Sequence, residues 1–156
     1  MTFDRLAACA GEWHGSNMLQ DPGLGRQPVI SESTLSLVAL LDGRFVRLDY
    51  TWGYHGKPQA GSMLVGCQKK TGVMTVHWID SWHNGDLVMA CEGVVDERAV
   101  SVRGSYAAPP GPDWGWRIAI APDPRGSLSV VMHNISPDGQ EELAVEARYS
   151  RMDPRR

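Results

Sequence analysis

The chain has 156 residues, of which 21% are charged, and its formal net charge at pH 7 is −3. This length fits one domain over residues 1–156 with a sizeable core, and a frayed tail is predicted at 153–156. Lys and Arg are scattered and form no basic stripe, so we predict no binding to nucleic acid. No run of about 18 apolar residues occurs, and no membrane association is predicted.

The three cysteines, Cys9, Cys67 and Cys91, are widely spaced. An odd number at such spacings indicates neither a disulfide framework nor a zinc site. The N-terminal "LAAC" (residues 6–9) lacks the basic start and the apolar run of a signal peptide. We therefore predict reduced thiols in a cytoplasmic protein.

The first predicted element is a short helix over residues 3–10, with Thr2 as its N-cap. After it, β-forming runs alternate with turns among the 17 Gly and 10 Pro residues. One face of each run is apolar, which favours an all-β, antiparallel closed barrel, with an open two-sheet sandwich as the alternative. About ten strands are predicted, near 11–19, 30–41, 44–53, 60–68, 73–83, 86–94, 99–107, 115–121, 127–135 and 142–151.

Three turns fix the predicted register. "DG" at 42–43 and "NG" at 84–85 are typical of two-residue hairpins, and "KKTG" at 69–72 is interpreted as a four-residue turn. The segment "WGYHGKPQ" at 52–59 is interpreted instead as a glycine-rich loop that could cover a portal. The predicted cross-strand pairs include Cys67 with Met74, Gly61 with Asp80, Asp80 with Met89, Trp78 with Cys91, His77 with Glu92 and Trp82 with Leu87.

The segment "HWIDSWH" contains three possible metal ligands, His77, Asp80 and His83. On a strand, Asp80 faces away from both histidines, which are roughly 20 Å apart at about 3.3 Å per residue. One metal ion cannot reach all three at a ligand distance of about 2 Å, so no metal site is predicted. The alternation turns both histidines outward, with His83 at the start of the turn.

Asp80 is predicted to face inward between Trp78 and Trp82. A carboxylate buried without partners is costly, so Asp80 must find hydrogen-bond donors or lie in a wet cavity. It could accept bonds from backbone N–H groups or an indole, orient a ligand, or act as an acid or base. Gly61 across the strand is predicted to leave space beside it.

Three sequence blocks occur in order: "GEWHG" at 11–15, "LDGRFVRLDYTWGYHGKPQAG" at 41–61 and "HWIDSWH" at 77–83. Over about residues 3–152 the chain resembles the bacterial, calycin-like barrel family catalogued as domain of unknown function 1579. The resemblance implies a lipocalin-like or fatty-acid-binding-like barrel with a central cavity. It implies no established activity.

The Gly-x-Trp-x-Gly start is also similar to nitrobindin-like haem barrels, whose axial ligand is a histidine near the C-terminus. The nearest candidate is His133 in "VVMHNIS", which the alternation of Leu128, Val130 and Met132 turns outward. The last strand, "LAVEARYSRM", has no histidine. We predict no cofactor, and haem binding stays an alternative.

The predicted function is binding of a small, largely apolar or amphipathic molecule in the barrel interior. Alternatives are an enzyme that uses Asp80 with a histidine from a rim loop, and a filled barrel that acts only through partners. A homodimer through outward apolar side chains (Val38, Leu40, Phe45 and Val88) is also possible. The predicted ligand-binding residues are Tyr50, Trp52, Met63, Trp78, Asp80, Met89, Tyr106 and Trp116.

Overall fold

The computed structural model describes residues 2–21, 27–123 and 125–152, so the predicted frayed tail at 153–156 lies outside the described residues. One helix precedes ten strands, and no helix in these ranges is long and apolar enough to cross a membrane. The elements are α1 (Thr2–Ala7), β1 (Gly11–Leu19), β2 (Val29–Leu40), β3 (Phe45–Tyr54), β4 (Lys57–Gln68), β5 (Val73–Asp80), β6 (Met89–Val95), β7 (Val100–Tyr106), β8 (Trp114–Asp123), β9 (Ser127–Ile135) and β10 (Glu141–Arg151).

The ten strands form a closed antiparallel barrel in which each strand pairs with its neighbours in sequence. The first and last strands close it, from Trp13 opposite Arg151 to Leu19 opposite Val145. Successive side chains alternate between faces, and the inner face of each strand is buried. The predicted all-β barrel is therefore confirmed, and closure leaves no free edge strand among the ten.

Helix α1 lies against the end of the barrel that carries the β6–β7 connection. Its Thr2 hydroxyl donates a hydrogen bond of 2.5 Å to the carbonyl of Asp96, and Phe3 and Leu6 are fully buried. The buried Trp13 donates from its indole to the Cys9 carbonyl at 2.9 Å. We call this the helix end. The opposite, loop end carries the end of β1, the start of β2 and the connections 55–56, 81–88, 107–113 and 136–140.

Two of the three predicted turns have the expected register. Around residues 42–43, Leu40 pairs with Phe45, and the positive φ angles of Asp42 and Gly43 (57° and 77°) suit such a turn. Around residues 69–72, Cys67 pairs with Met74, and the same register continues to Gly61 opposite Asp80. These turns set which side chains enter the barrel from β2 to β5.

The predicted two-residue hairpin at 84–85 is wrong. Strand β5 ends at Asp80 and β6 begins at Met89, so residues 81–88 form a longer connection. The pairing is therefore shifted by two residues from the predicted one: Trp78 pairs with Met89 rather than Cys91, and His77 pairs with Ala90 rather than Glu92. Leu87, predicted to face inward opposite Trp82, is 69% exposed in this connection.

The segment at 52–59 is a hairpin and not a loop. Tyr54 pairs with Lys57, so only His55 and Gly56 make the turn. Both have positive φ angles, 47° and 81°, which match the twist of the flanking strands. Strands β3 and β4 consequently run to the loop end, and Trp52 lies on a strand.

Candidate functional site

Asp80, the last residue of β5, accepts four hydrogen bonds and is 8% exposed. Its Oδ2 accepts from the Tyr50 hydroxyl at 2.5 Å and from the Trp52 indole N–H at 3.2 Å. Its Oδ1 accepts from the backbone N–H groups of Trp82 at 2.8 Å and His83 at 3.1 Å. The side chain thus ends the strand and turns the chain back over the barrel, as aspartates do in Asx turns. Among the roles predicted for Asp80, these contacts match the one in which its carboxylate accepts hydrogen bonds from backbone N–H groups and an indole.

Tyr50 connects Asp80 to a second tryptophan, because its hydroxyl accepts a hydrogen bond of 2.8 Å from the Trp78 indole. Burial raises the pKa of Tyr50 well above its ordinary value, and the negative charge of Asp80 raises it further. The Tyr50 hydroxyl also occupies the space predicted beside Gly61. A Cβ atom at position 61 would lie 2.1 Å from it.

The ring of His83 lies among four tryptophan rings, so its predicted outward orientation is wrong. The turn that Asp80 imposes directs the side chain back toward the barrel. Burial lowers the pKa of His83 below its ordinary value, and the negative charge of Asp80 opposes this shift by a smaller amount. The distances from its ring centroid are 4.7 Å to Trp82, 5.4 Å to Trp78, 5.6 Å to Trp116 and 5.7 Å to Trp52.

The barrel interior holds a cavity of only about 20 Å³, bordered by Asn17, Tyr50, Asp80, His83 and Tyr149 among others. A cavity needs about 10–15 Å³ to hold one water molecule. The inward side chains therefore fill the interior almost completely.

Two larger cavities open at the loop end. One, of about 220 Å³, is lined by Trp78, Met89 and Tyr106, among others. The other, of about 560 Å³, extends across to β9 and β10. Both share Trp82, His83 and Trp116 as lining residues. The connection 81–88 therefore lies between the two cavities, and the rings of Trp82, His83 and Trp116 border both of them.

Trp116 has an indole N–H without a hydrogen-bond acceptor among the described residues, although the residue is only 7% exposed. The indoles of Trp13, Trp52 and Trp78 all have acceptors. A buried donor left without a partner costs about 1–3 kcal/mol. Trp116 lines both loop-end cavities, but its indole nitrogen is itself buried, so an acceptor on a bound molecule reaches it only when the neighbouring rings move apart.

The structure divides the predicted binding residues into two groups. Tyr50, Trp52, Met63 and Asp80 border the interior cavity, whereas Trp78, Met89, Tyr106 and Trp116 line the smaller loop-end cavity. His83, which sequence reasoning placed outside, borders both of these and the larger cavity as well. The sequence signal for this turn was Asp80, whose carboxylate can accept hydrogen bonds from the backbone N–H groups two and three residues later. The Asn84-Gly85 dipeptide obscured this signal because it favours a two-residue hairpin.

Within residues 2–21, 27–123 and 125–152, no three His, Cys, Asp or Glu side chains gather closely enough to hold a metal ion. His133 lies on the outer face of β9, as predicted. Its Nδ1 is 3.4 Å from Nη2 of Arg117, which pairs with it from β8. His133 is therefore directed away from the barrel interior.

A closed ten-stranded antiparallel barrel with a short helix at one end is a calycin-like barrel. The chain belongs to the DUF1579 family, described as proteins of unknown function, and the match spans residues 3–151. No curated protein matches it. The crystal structure of Rv2717c from M. tuberculosis has a similar fold, with a TM-score of 0.65 and 14% sequence identity over 97% of this chain and 98% of that one.

Proposed function

We propose that this protein binds a small, largely apolar molecule at the loop end of the barrel, between the rings of Trp82, His83 and Trp116. A nearly filled interior on its own would favour a barrel that acts only through partners. The loop end, however, retains cavities of about 220 and 560 Å³. Small-molecule sites are commonly about 300–1,000 Å³ and largely apolar with a few polar groups.

The observation that carries this proposal is the unpartnered indole N–H of Trp116. The neighbouring polar groups, including Asp80 and Tyr50, are already hydrogen-bonded to each other. A ligand with one hydrogen-bond acceptor would satisfy the Trp116 donor. Its apolar part would contact the surrounding rings, which supply large apolar surfaces with little conformational freedom to lose.

Acetophenone and ethylbenzene form a matched pair of probes, since they have similar shapes and only acetophenone has an acceptor. Both can be titrated into ¹⁵N-labelled protein while the indole N–H resonances are followed. Acetophenone should shift the Trp116 resonance and bind about 5- to 150-fold more tightly than ethylbenzene, as a donor worth about 1–3 kcal/mol implies. In Trp116→Phe this preference should disappear.

The control is His77→Gln, on the outer face of β5, which should leave both affinities unchanged. The proposal is overturned if acetophenone causes no shift at Trp116. It is also overturned if the preference for acetophenone persists in Trp116→Phe. Native mass spectrometry of gently purified protein adds an independent measurement, in which a retained small molecule should be lost on Trp116→Phe substitution.

A further inference from the structure

A cavity of about 550 Å³ lies at the helix end, on the outer face of β8, β9 and β10, and arginines from three elements line it. Arg5 comes from α1, Arg98 from the connection between β6 and β7, and Arg148 from β10. Among the described residues that line this cavity, Asp123 has the one carboxylate. The cavity is thus locally positive in a chain whose net charge is −3.

Arg5 is held at this cavity by backbone carbonyls rather than by a carboxylate. Its Nη1 donates to the carbonyl of Glu97 at 3.3 Å, and its Nη2 donates to the carbonyl of Pro122 at 3.4 Å. Pro122 itself lines the cavity, so the guanidinium lies at its border. A guanidinium has five N–H donors, and three of them remain for another acceptor. The two carbonyls fix the position of the charged group without neutralising it.

Arg98 has a side chain that makes no hydrogen bond or ion pair within the part of the chain that the structure describes. Its backbone N–H donates to Asp96 at 3.1 Å, but Asp96 does not line the cavity. Arg148, by contrast, is compensated by an ion pair of 2.5 Å with Glu146. The two uncompensated guanidinium groups therefore provide more positive charge than the one lining carboxylate offsets.

The same cavity is also lined by hydroxyl groups, which are a second kind of donor. Ser127 and Ser129 on β9 and Ser150 on β10 line it, and their hydroxyls have no hydrogen-bond partner in residues 2–21, 27–123 and 125–152. Ser129 pairs with Arg148, and Ser127 pairs with Ser150, so the hydroxyls are neighbours on the outer face. Guanidinium groups form strong bonds to phosphate oxygens, and serine hydroxyls commonly add to such contacts.

We propose that this cavity is a second binding site, for the phosphoryl group of a small phosphate monoester. The phosphate oxygens accept from Arg5, Arg98 and the serine hydroxyls, and the organic part of the molecule occupies the remaining volume. A phosphate ion alone would leave most of a cavity of about 550 Å³ empty, and this volume is usual for small-molecule sites. The site lies at the end opposite the loop-end cavities and does not depend on the function proposed above.

Glycerol 3-phosphate and glycerol test the phosphoryl group, because they share the organic part and differ in the phosphate. Calorimetric titration at low ionic strength should give an affinity for glycerol 3-phosphate at least tenfold higher than for glycerol. Added salt should reduce this ratio, since the arginine charges are exposed. In ¹⁵N-labelled protein, glycerol 3-phosphate should shift the backbone amide resonances of Ser127, Ser129 and Ser150 and leave the Trp116 indole resonance in place.

Arg98→Gln should weaken the binding of glycerol 3-phosphate at least fivefold and leave unfolding in urea unchanged, because its side chain has no partner to lose. Arg103→Gln, exposed on the outer face of β7, removes the same charge away from the cavity and should not change the affinity. Equal weakening in the two variants overturns the site, as does equal affinity for glycerol and its phosphate. Vesicles with and without phosphatidic acid complete the test. Binding to the phosphatidic acid vesicles without binding of glycerol 3-phosphate would overturn the small ligand in favour of a lipid head group.

Discussion

Tyr50 on β3 donates a hydrogen bond of 2.5 Å to Asp80 on β5, although β4 lies between these two strands. The bond passes over Gly61, which pairs with both residues from β4. Only a residue without a side chain leaves room for it. The inner wall of the barrel is thus tied across three strands, beside the interior cavity that His83 also borders.

Gly61→Ala should destabilise the fold for this reason. The added Cβ would lie 2.1 Å from the Tyr50 hydroxyl and 2.9 Å from Oδ2 of Asp80, so the bond must open or the strand must shift. We expect the free energy of unfolding in urea to fall by about 1–3 kcal/mol, the usual cost of overpacking. Gly53→Ala is the control, because its Cβ would meet Ser31 at an ordinary contact distance of 3.5 Å. Equal losses in the two variants would contradict the steric explanation.

Asp80→Asn replaces a carboxylate that accepts four hydrogen bonds with a side chain that has one acceptor oxygen. Some of the donors then lose their partner, and hydrogen bonds to charged groups contribute about 1.5–3 kcal/mol each. We expect unfolding free energy to fall by at least about 2 kcal/mol, and amide exchange to accelerate at Trp82 and His83. Asp86→Asn, exposed in the same connection, should have little effect. A stable Asp80→Asn with slow exchange would show that the turn does not depend on the carboxylate.

The lowered pKa of His83 should make stability depend on pH. In the unfolded chain its pKa is near the ordinary 6.5, and burial places it lower in the folded protein. The unfolded state therefore binds more protons as the pH falls through 6.5, so stability is full above that pH and declines below it. Urea unfolding between pH 5 and 8 should show a smaller decline in His83→Gln than in the parent. His77→Gln, with an exposed ring, should keep the parent's slope.

Replacing each of two stacked tryptophans in turn should lower the free energy of unfolding by unequal amounts. Trp78 and Trp116 have ring centroids 5.5 Å apart, but only Trp78 has an indole acceptor, the Tyr50 hydroxyl. Trp78→Phe loses that bond, whereas Trp116→Phe removes a donor that has none. We expect Trp78→Phe to cost about 1–2 kcal/mol more unfolding free energy in urea, the worth of a buried hydrogen bond. Equal costs would show that the Trp116 indole has an acceptor in solution.

The features that could be predicted from the sequence are those that depend on residues close together along the chain. The turns at 42–43 and 69–72 set their own register through local backbone preferences, and alternation then predicted that Trp78 and Met89 face inward. The connection 81–88 depends instead on a side chain. Asp80 captures two backbone N–H groups and ends β5 early, so Asn84 and Gly85 keep the positive φ angles that they favour (60° and 57°) without closing a two-residue hairpin. The strand pairs are consequently shifted by two residues.

The candidate site was less predictable because its members meet only in the closed barrel. The role of Gly61 depends on Tyr50 from a different strand, and no local pattern shows that their side chains coincide. The eight predicted binding residues lie on inward faces, but alternation gives no depth along the barrel axis. It therefore could not separate the interior group from the loop-end group, or place His83 between them.

The imidazole of His83 acts as a shared partition, because the same ring borders the water-sized interior chamber and both outer cavities. The size of the side chain at position 83 consequently sets how empty volume is divided among these three cavities. A smaller side chain at this position would deepen the loop-end cavities without altering any strand. A bulkier side chain there would close off the interior cavity and leave shallower cavities at the loop end.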